Sequence, residues 1–213
     1  MLVPLAAAIL LFSLAQAAGF NADQLLKTIT QRWGASSAQK FHEWQKLVTD
    51  TQKMSSPVQK LQKVNEFWNR HIQFVDDIEA WGQEDYWATP MESLGHGQGD
   101  CEDFSIAKYF TLISAGVDIS QLRLIYVKAQ IGGADSGIVQ AHMVLAFYSD
   151  PDAEPLILDN LLGDILPASR RRDLTPVFSF NGQGIWAGGK STSTSRLSRW
   201  QDLLTRAQAE GFE

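Results

Sequence analysis

The hydrophobic period of this chain changes once, and that change limits the folds open to it. As far as Gly116 the apolar residues recur at the three-and-four spacing of helices, and beyond it they alternate as in strands. Asn21 to Trp33 and Ser36 to Thr51 are rich in helix formers and are parted by Gly34. Ser55-Ser56-Pro57 opens a third helix with proline in its first turn. Val58, Leu61, Val64, Phe67, Trp68 and Ile72 give that helix one apolar face. Asp76 to Gly99 reads as a long ordered loop, dense in Trp81, Tyr86, Trp87 and Pro90. Asp100 is a natural N-cap for the next helix, and Asp103 stands where a capping box places its reciprocal carboxylate. Ile106, Tyr109, Phe110 and Ile113 line one face of it, and Gly116 ends it. Leu122 to Ala129, Ala141 to Tyr148 and Leu156 to Asp159 then read as strands, with a further strand over Phe178 to Trp186 and a last helix from Arg196 to Gln208. Helices first and an antiparallel sheet afterwards predict an α+β domain.

With 213 residues and no internal repeat, the chain suits one domain, taken as residues 19–213. Residues 1–18 have the pattern of a secretory signal: an apolar run from Leu5 to Leu14, then Ala15-Gln16-Ala17 as a cleavage site. No lysine or arginine precedes that run, the first being Lys27, so the usual positive start of a signal is missing. The expectation is cleavage and an extracytoplasmic mature chain. A net charge of −6 disfavours a nucleic-acid partner, which would need a basic face. Arg170-Arg171-Arg172 is the one basic cluster, and it reads as a solvated loop.

The chemistry gathers at Cys101, the only cysteine. An exported chain with one thiol makes no internal disulfide, so Cys101 is either a packed small hydrophobe or a reactive group. It follows Gly97-Gln98-Gly99-Asp100 at the start of a helix, where unpaired N–H groups and the positive dipole end favour a thiolate. Asp100, Glu102 and Asp103 act the other way and call for a neutralising group, a protonated histidine or a hard cation such as calcium. Their alternative role is to dress a helix N-terminus. His142 opens one strand, and the turn from Asp150 to Pro155 brings Asp159 back roughly opposite it, where its carboxylate can orient the imidazole. His96, just before Cys101, competes for the role of base, and His42 and His71 do so less well.

Several of these segments together are similar to a known family. They are Trp87-Ala88-Thr89-Pro90-Met91-Glu92-Ser93-Leu94, Gly97-Gln98-Gly99-Asp100-Cys101-Glu102-Asp103-Phe104, Ala107-Lys108-Tyr109, Ala141-His142-Met143-Val144-Leu145 and Leu156-Ile157-Leu158-Asp159-Asn160. They resemble the bacterial transglutaminase-like cysteine proteinases. The resemblance implies a papain-like α+β fold and a triad of Cys101 as nucleophile, His142 as general base and acid, and Asp159 as orienting group. It implies calcium held beside the cysteine, at Asp100, Glu102 and Asp103. It further implies a periplasmic endopeptidase that cuts a large repeat adhesin at a di-alanine site and is held in check by an inner-membrane receptor for cyclic-di-GMP. Two rival readings use the same residues: a transglutaminase or cell-wall amidase with this triad, and a calcium-binding protein whose triad does no chemistry.

Overall fold

A computed structural model describes residues 19–188, 190–194 and 197–213. The expected export signal, residues 1–18, lies outside the described residues. Among the described residues no helix is long and apolar enough to cross a membrane.

The helical half contains α1 (Ala22–Trp33), α2 (Ser37–Gln52) and α3 (Pro57–His71), followed by a short strand, β1 (Gln73–Phe74), and one helical turn, α4 (Asp77–Ala80). The caps explain the boundaries. Asn21 and Ser56 each accept a hydrogen bond from the backbone N–H three residues on, and Pro57 occupies the first turn of α3, where no donor is needed. Next come α5 (Pro90–His96), β2 (Gln98–Gly99) and α6 (Cys101–Ser114). Helix α6 is the centre of the molecule. It packs on α2, α3 and α5 on one side and on the sheet on the other, so it is buried on nearly every face. Trp44 of α2 and Trp68 of α3 both donate their indole N–H to Thr111 Oγ1 at 2.9 Å, which ties the three helices together without leaving a buried donor unpaired.

The segment 76–99 is therefore more structured than the loop its aromatic and glycine content suggests. Thr89 accepts from Glu92 N, and the Glu92 carboxylate accepts from Thr89 N, so the capping box of this region belongs to α5. Glu92 is 1% exposed and is flanked by the guanidinium groups of Arg32 and Arg206. At α6 the box is incomplete. Asp100 does accept from Glu102 N at 3.3 Å, but Asp103 turns away to accept from Ala88 N at 2.8 Å and Trp81 Nε1 at 3.2 Å.

The second half forms one 7-stranded antiparallel sheet. Its strands are β3 (Leu122–Gln130), β4 (Val139–Phe147), β5 (Leu156–Leu158), β6 (Leu166–Pro167), β7 (Leu174–Phe180), β8 (Ile185–Ala187) and β9 (Lys190–Thr192), in the order β6-β5-β4-β3-β7-β8-β9. The expected strand over Phe178 to Trp186 is a hairpin of two strands, because Asn181 and Gly184 close a tight turn through Asn181 N to Gly184 O at 3.0 Å. One sheet face, with Leu124, Met143, Leu145 and Leu158, joins the helical core. The other buries Ile125, Val127, Val144 and Ile157 in a smaller cluster. Helix α7 (Ser198–Glu210) packs back on α1.

Candidate active site

Three devices fix Cys101 at the first position of α6. The parallel pair β1–β2 aligns Phe74 with Gly99 and so anchors the chain just ahead of the helix. Asp100 caps it. Ser105, one turn on, donates to Met143 O at 3.0 Å, docking the helix N-terminus on β4 beside His142. The backbone amide of Met143 acts on the sulfur in favour of thiolate. The thiol itself donates to Glu102 Oε2 at 2.8 Å. Burial pushes its pKa up, and the charges of Glu102 and Asp100 push it further. No hydrogen bond joins Cys101 and His142 in this structure.

His142 and Asp159 do meet. Leu158 pairs with Leu145, and continuing that register sets Asp159 across from Val144, two residues from His142 and on the same face. The side chains close the offset, with His142 Nε2 2.7 Å from Asp159 Oδ1. His142 Nδ1 has no hydrogen-bond partner among the described residues. Asp159 is almost fully buried, and its second oxygen accepts from Arg171 Nη2 at 2.7 Å. Leu161 N donates to Oδ1 at 3.1 Å, and Asn69 Nδ2 fixes the Asp159 backbone carbonyl at 2.9 Å. Burial alone would raise the Asp159 pKa, but the bonds from His142 and Arg171 outweigh it and hold it at about 2. Arg171 is thus a correction to the sequence reading. The solvated triplet Arg170-Arg171-Arg172 has a middle member that is 3% exposed and clamped between Asp159 and Asp173. Its signal was too weak to read: a polar loop of like charges does not show which member turns inward.

The acids before and after Cys101 belong to a larger cluster. Asp77 of α4 brings a carboxylate to Asp100 and Asp103, and Asp77 with Asp85 brings one to Glu102, each set lying within 4.8 Å. Asp85 and Asp77 were not foreseen, since they stand in the segment taken for a loop. Asp85 is the one non-glycine described residue with positive φ, at 58°, and it is tied to Arg199 at 2.8 Å and to Trp87 Nε1 at 3.0 Å. No lysine or arginine pairs with Asp77, Asp100, Glu102 or Asp103 among the described residues.

The family of bacterial transglutaminase-like cysteine proteinases, BTLCP, matches residues 29–172, from α1 past the His142–Asp159 pair to the end of the arginine triplet. The chain belongs to this family. By that membership it is a cysteine protease. Among solved structures it is similar to Legionella pneumophila LapG, at 38% identity and a TM-score of 0.75 over 90% of this chain and 98% of that one. The EGTA-treated form of LapG gives 38% identity and a TM-score of 0.77, covering 90% and 100% of the two chains. The calcium-bound form gives 39% and 0.72, covering 87% and 98%. Among curated proteins there is no match.

The acidic cluster of this family member fits a hard cation. Burial, then the neighbouring carboxylates, lift Asp100 to about 10, and burial lifts Asp77 to about 7 and Asp103 well above the ordinary range. Asp77 Oδ1 is buried with no hydrogen-bond partner. Buried carboxylates that repel one another, with an oxygen unclaimed, are what calcium neutralises and ligates. Gly99 bears on the same cluster. A Cβ there would lie 2.4 Å from Asp103 Oδ2 and 2.8 Å from its Cβ, so the Asp103 side chain would have to shift. A cation held at this cluster would therefore be bound about 10–100-fold more weakly in Gly99→Ala, the range for displaced supports of a metal ligand, as isothermal titration with calcium would read.

The rival histidines fit the base role poorly. His71 stacks on Phe67 and faces Glu43 at 3.0 Å on the α2–α3 surface. His96 ends α5 against Trp81, with Nδ1 buried and unpartnered, and burial followed by Lys40 and Arg32 lowers its pKa. His142 is the histidine paired with a buried carboxylate.

Proposed function

We propose that this protein is a calcium-dependent periplasmic cysteine endopeptidase. Its substrate is the N-terminal region of a large repeat adhesin, cut at a di-alanine sequence, which releases the adhesin and disperses a biofilm. The observation behind this reading is the buried His142–Asp159–Arg171 chain, set beside a lone cysteine at a helix N-terminus in a member of this protease family.

In the reaction His142 Nδ1 takes the thiol proton and Cys101 Sγ attacks the scissile carbonyl. Asp159 holds the imidazole through Nε2 and stabilises it when protonated. The oxyanion accepts from the backbone N–H of Cys101 at the start of α6. Trp81 and Trp87 both spend their indole N–H on acidic side chains, so Gln98 is the better second donor. His142 then protonates the leaving amine, and water hydrolyses the thioester. Bound calcium would be held by Asp77, Asp100, Glu102 and Asp103; it neutralises their charge beside the thiol and fixes the loop that bears it.

Tyr126 lies close enough to Cys101 for their charges to interact, and it lines a cavity of about 290 Å³ with Trp87, Phe178 and Arg199. That aromatic wall suits small substrate side chains. Trp186 takes no part in it and instead packs over the Arg123 guanidinium at 4.2 Å. An inner-membrane cyclic-di-GMP receptor is the proposed inhibitor.

The test is incubation of the mature chain with N-terminal fragments of large repeat adhesins, in calcium and in chelator, alongside Cys101→Ala. Discrete cleavage that needs both calcium and Cys101 is expected. Crosslinked products or cut muropeptides would indicate transglutaminase or amidase chemistry. No cleavage together with no labelling of Cys101 by an electrophilic thiol probe would leave the calcium-binding protein.

A further inference from the structure

The face of the sheet turned away from the helical core is hollow. By the alternation of a strand, Arg123, Ile125 and Val127 of β3 share that face, while Leu122 and Leu124 enter the core. A cavity of about 550 Å³ lies there, within the range of small-molecule sites. Ile125, Val144 and Ile157 give it an apolar floor, and Val177, which also lines it, is 49% exposed, so the cavity meets solvent. Two guanidinium groups interrupt this apolar lining. Arg123 is held by aromatic rings, its Cζ 4.8 Å from the centre of Tyr148 and 4.2 Å from that of Trp186. Such contacts take up part of its charge but leave its N–H groups without acceptors. No carboxylate pairs with Arg123 among the described residues, and its buried Nε has no hydrogen-bond partner. Arg171 spends Nε and Nη2 on Asp159 and Asp173, yet its Nη1 is also buried and unpartnered.

Buried donors are nearly always paired, and an apolar cavity gives water little hold. Two orphaned donors on the lining of one such cavity fit an acceptor that brings its own apolar body. The charges say which acceptor. Arg171 is already matched by Asp159 and Asp173, so the charge left over is the single one of Arg123. A monoanion answers it, whereas a phosphate dianion would set excess charge against the two aspartates. Carboxylate oxygens also match the planar fork of a guanidinium. We propose that this cavity is a binding site for an amphiphilic carboxylate, with its head on these guanidinium donors and its tail on the floor of Ile125, Val144 and Ile157. The site is additional to the protease reading and does not rest on it.

Titration of the calcium-loaded protein with octanoate, and with 1-octanol as the uncharged control, tests this by calorimetry and methyl NMR. Octanoate should bind at one site with a Kd of about 1 mM or tighter, which about ten non-hydrogen atoms supply. The methyl signals of Ile125, Val144, Ile157 and Val177 should shift together, and those of Leu47, on the α2–α3 surface, should stay still. 1-Octanol should show no saturable binding within its solubility. Arg123→Met should weaken octanoate by about 10–100-fold, the worth of hydrogen bonds to a charged group. Val177→Glu, at an exposed position, should weaken it too by setting a like charge beside the head, and it decides the matter should Arg123→Met fail to fold. Equal binding of the acid and the alcohol would overturn the proposal, and so would octanoate affinity that survives both substitutions; Arg123 would then be a spacer between Tyr148 and Trp186. Absence of saturable octanoate binding, or shifts confined to other methyls, would overturn it as well. None of these readouts involves cleavage, so the site stands or falls apart from the protease reading.

Discussion

Asp159→Asn should give a folded protein whose kcat is lower by about 10³–10⁴-fold with KM little changed, a loss of the size known for this change in Ser-His-Asp enzymes. The carboxylate is saturated with donors: His142 Nε2 and Leu161 N at Oδ1, Arg171 Nη2 at Oδ2. An asparagine must turn its amide group to one of those sides. Facing Arg171, it sets donor against donor in a buried site. Facing His142, it forces the tautomer protonated at Nδ1, which cannot accept the thiol proton. The same residue gives the pH dependence of stability. With a folded pKa of about 2 against an ordinary 3.8, Asp159 contributes stability that is present above about pH 4 and is lost as pH falls towards 2. That contribution is on the order of 2 kcal/mol. Urea denaturation at pH 7, 4 and 3 should show the loss in the wild type, and a smaller loss in Asp159→Asn. A kcat within tenfold of wild type would remove Asp159 from the mechanism.

The helix-then-sheet order was legible because each half keeps one period over long stretches, and α1, α2, α3 and α6 carry their stop and start residues within the sequence. The segment 76–99 was not legible. Its helices are only one or two turns long, too short for a period to declare itself, and the Thr89–Glu92 box that starts α5 lay hidden among tryptophans and glycines. The short edge strands β6 and β9 were missed for the same reason. At the site, residues near one another in sequence were readable: Cys101 on its helix end, and the hairpin joining His142 to Asp159. What escaped was whatever arrives from a distant segment. Asp77 and Asp85 reach the acids around Cys101 from the far side of α5, and Arg171 reaches Asp159 from a loop that looks merely basic. Charge pairing over such separations is decided by packing, which no local pattern encodes.

The acidic cluster leads to a second large effect, in which the calcium-free protein loses stability as pH rises from 5 to 9 while the calcium-loaded protein does not. The sign follows from where the protons sit. Asp77 and Asp100 have folded pKa values of about 7 and about 10 against an ordinary 3.8, chiefly because burial penalises their charged forms. The folded chain therefore keeps protons that the unfolded chain releases above about pH 4. The stability due to these groups is complete below that pH, declines between about pH 4 and 7 for Asp77, and goes on declining towards 10 for Asp100. Calcium bound there would take the place of those protons, so its affinity should climb about tenfold per pH unit for each proton displaced. Asp77→Asn removes one of the charges. It should flatten the decline between about pH 4 and 7 in chelator, yet cost about 100-fold in calcium affinity and with it cleavage at limiting calcium. Calorimetric Tm in EGTA and in calcium across this pH range is the measurement, with circular dichroism to show that chelation leaves the helix content nearly unchanged. A Tm that rises with pH in EGTA, or that calcium does not move, would mean these carboxylates share no cation. Global unfolding in EGTA would mean that the ion holds the whole domain together, because α4, β2 and the start of α6 would then have no fold of their own without it, and the local role at the thiol would have to be given up.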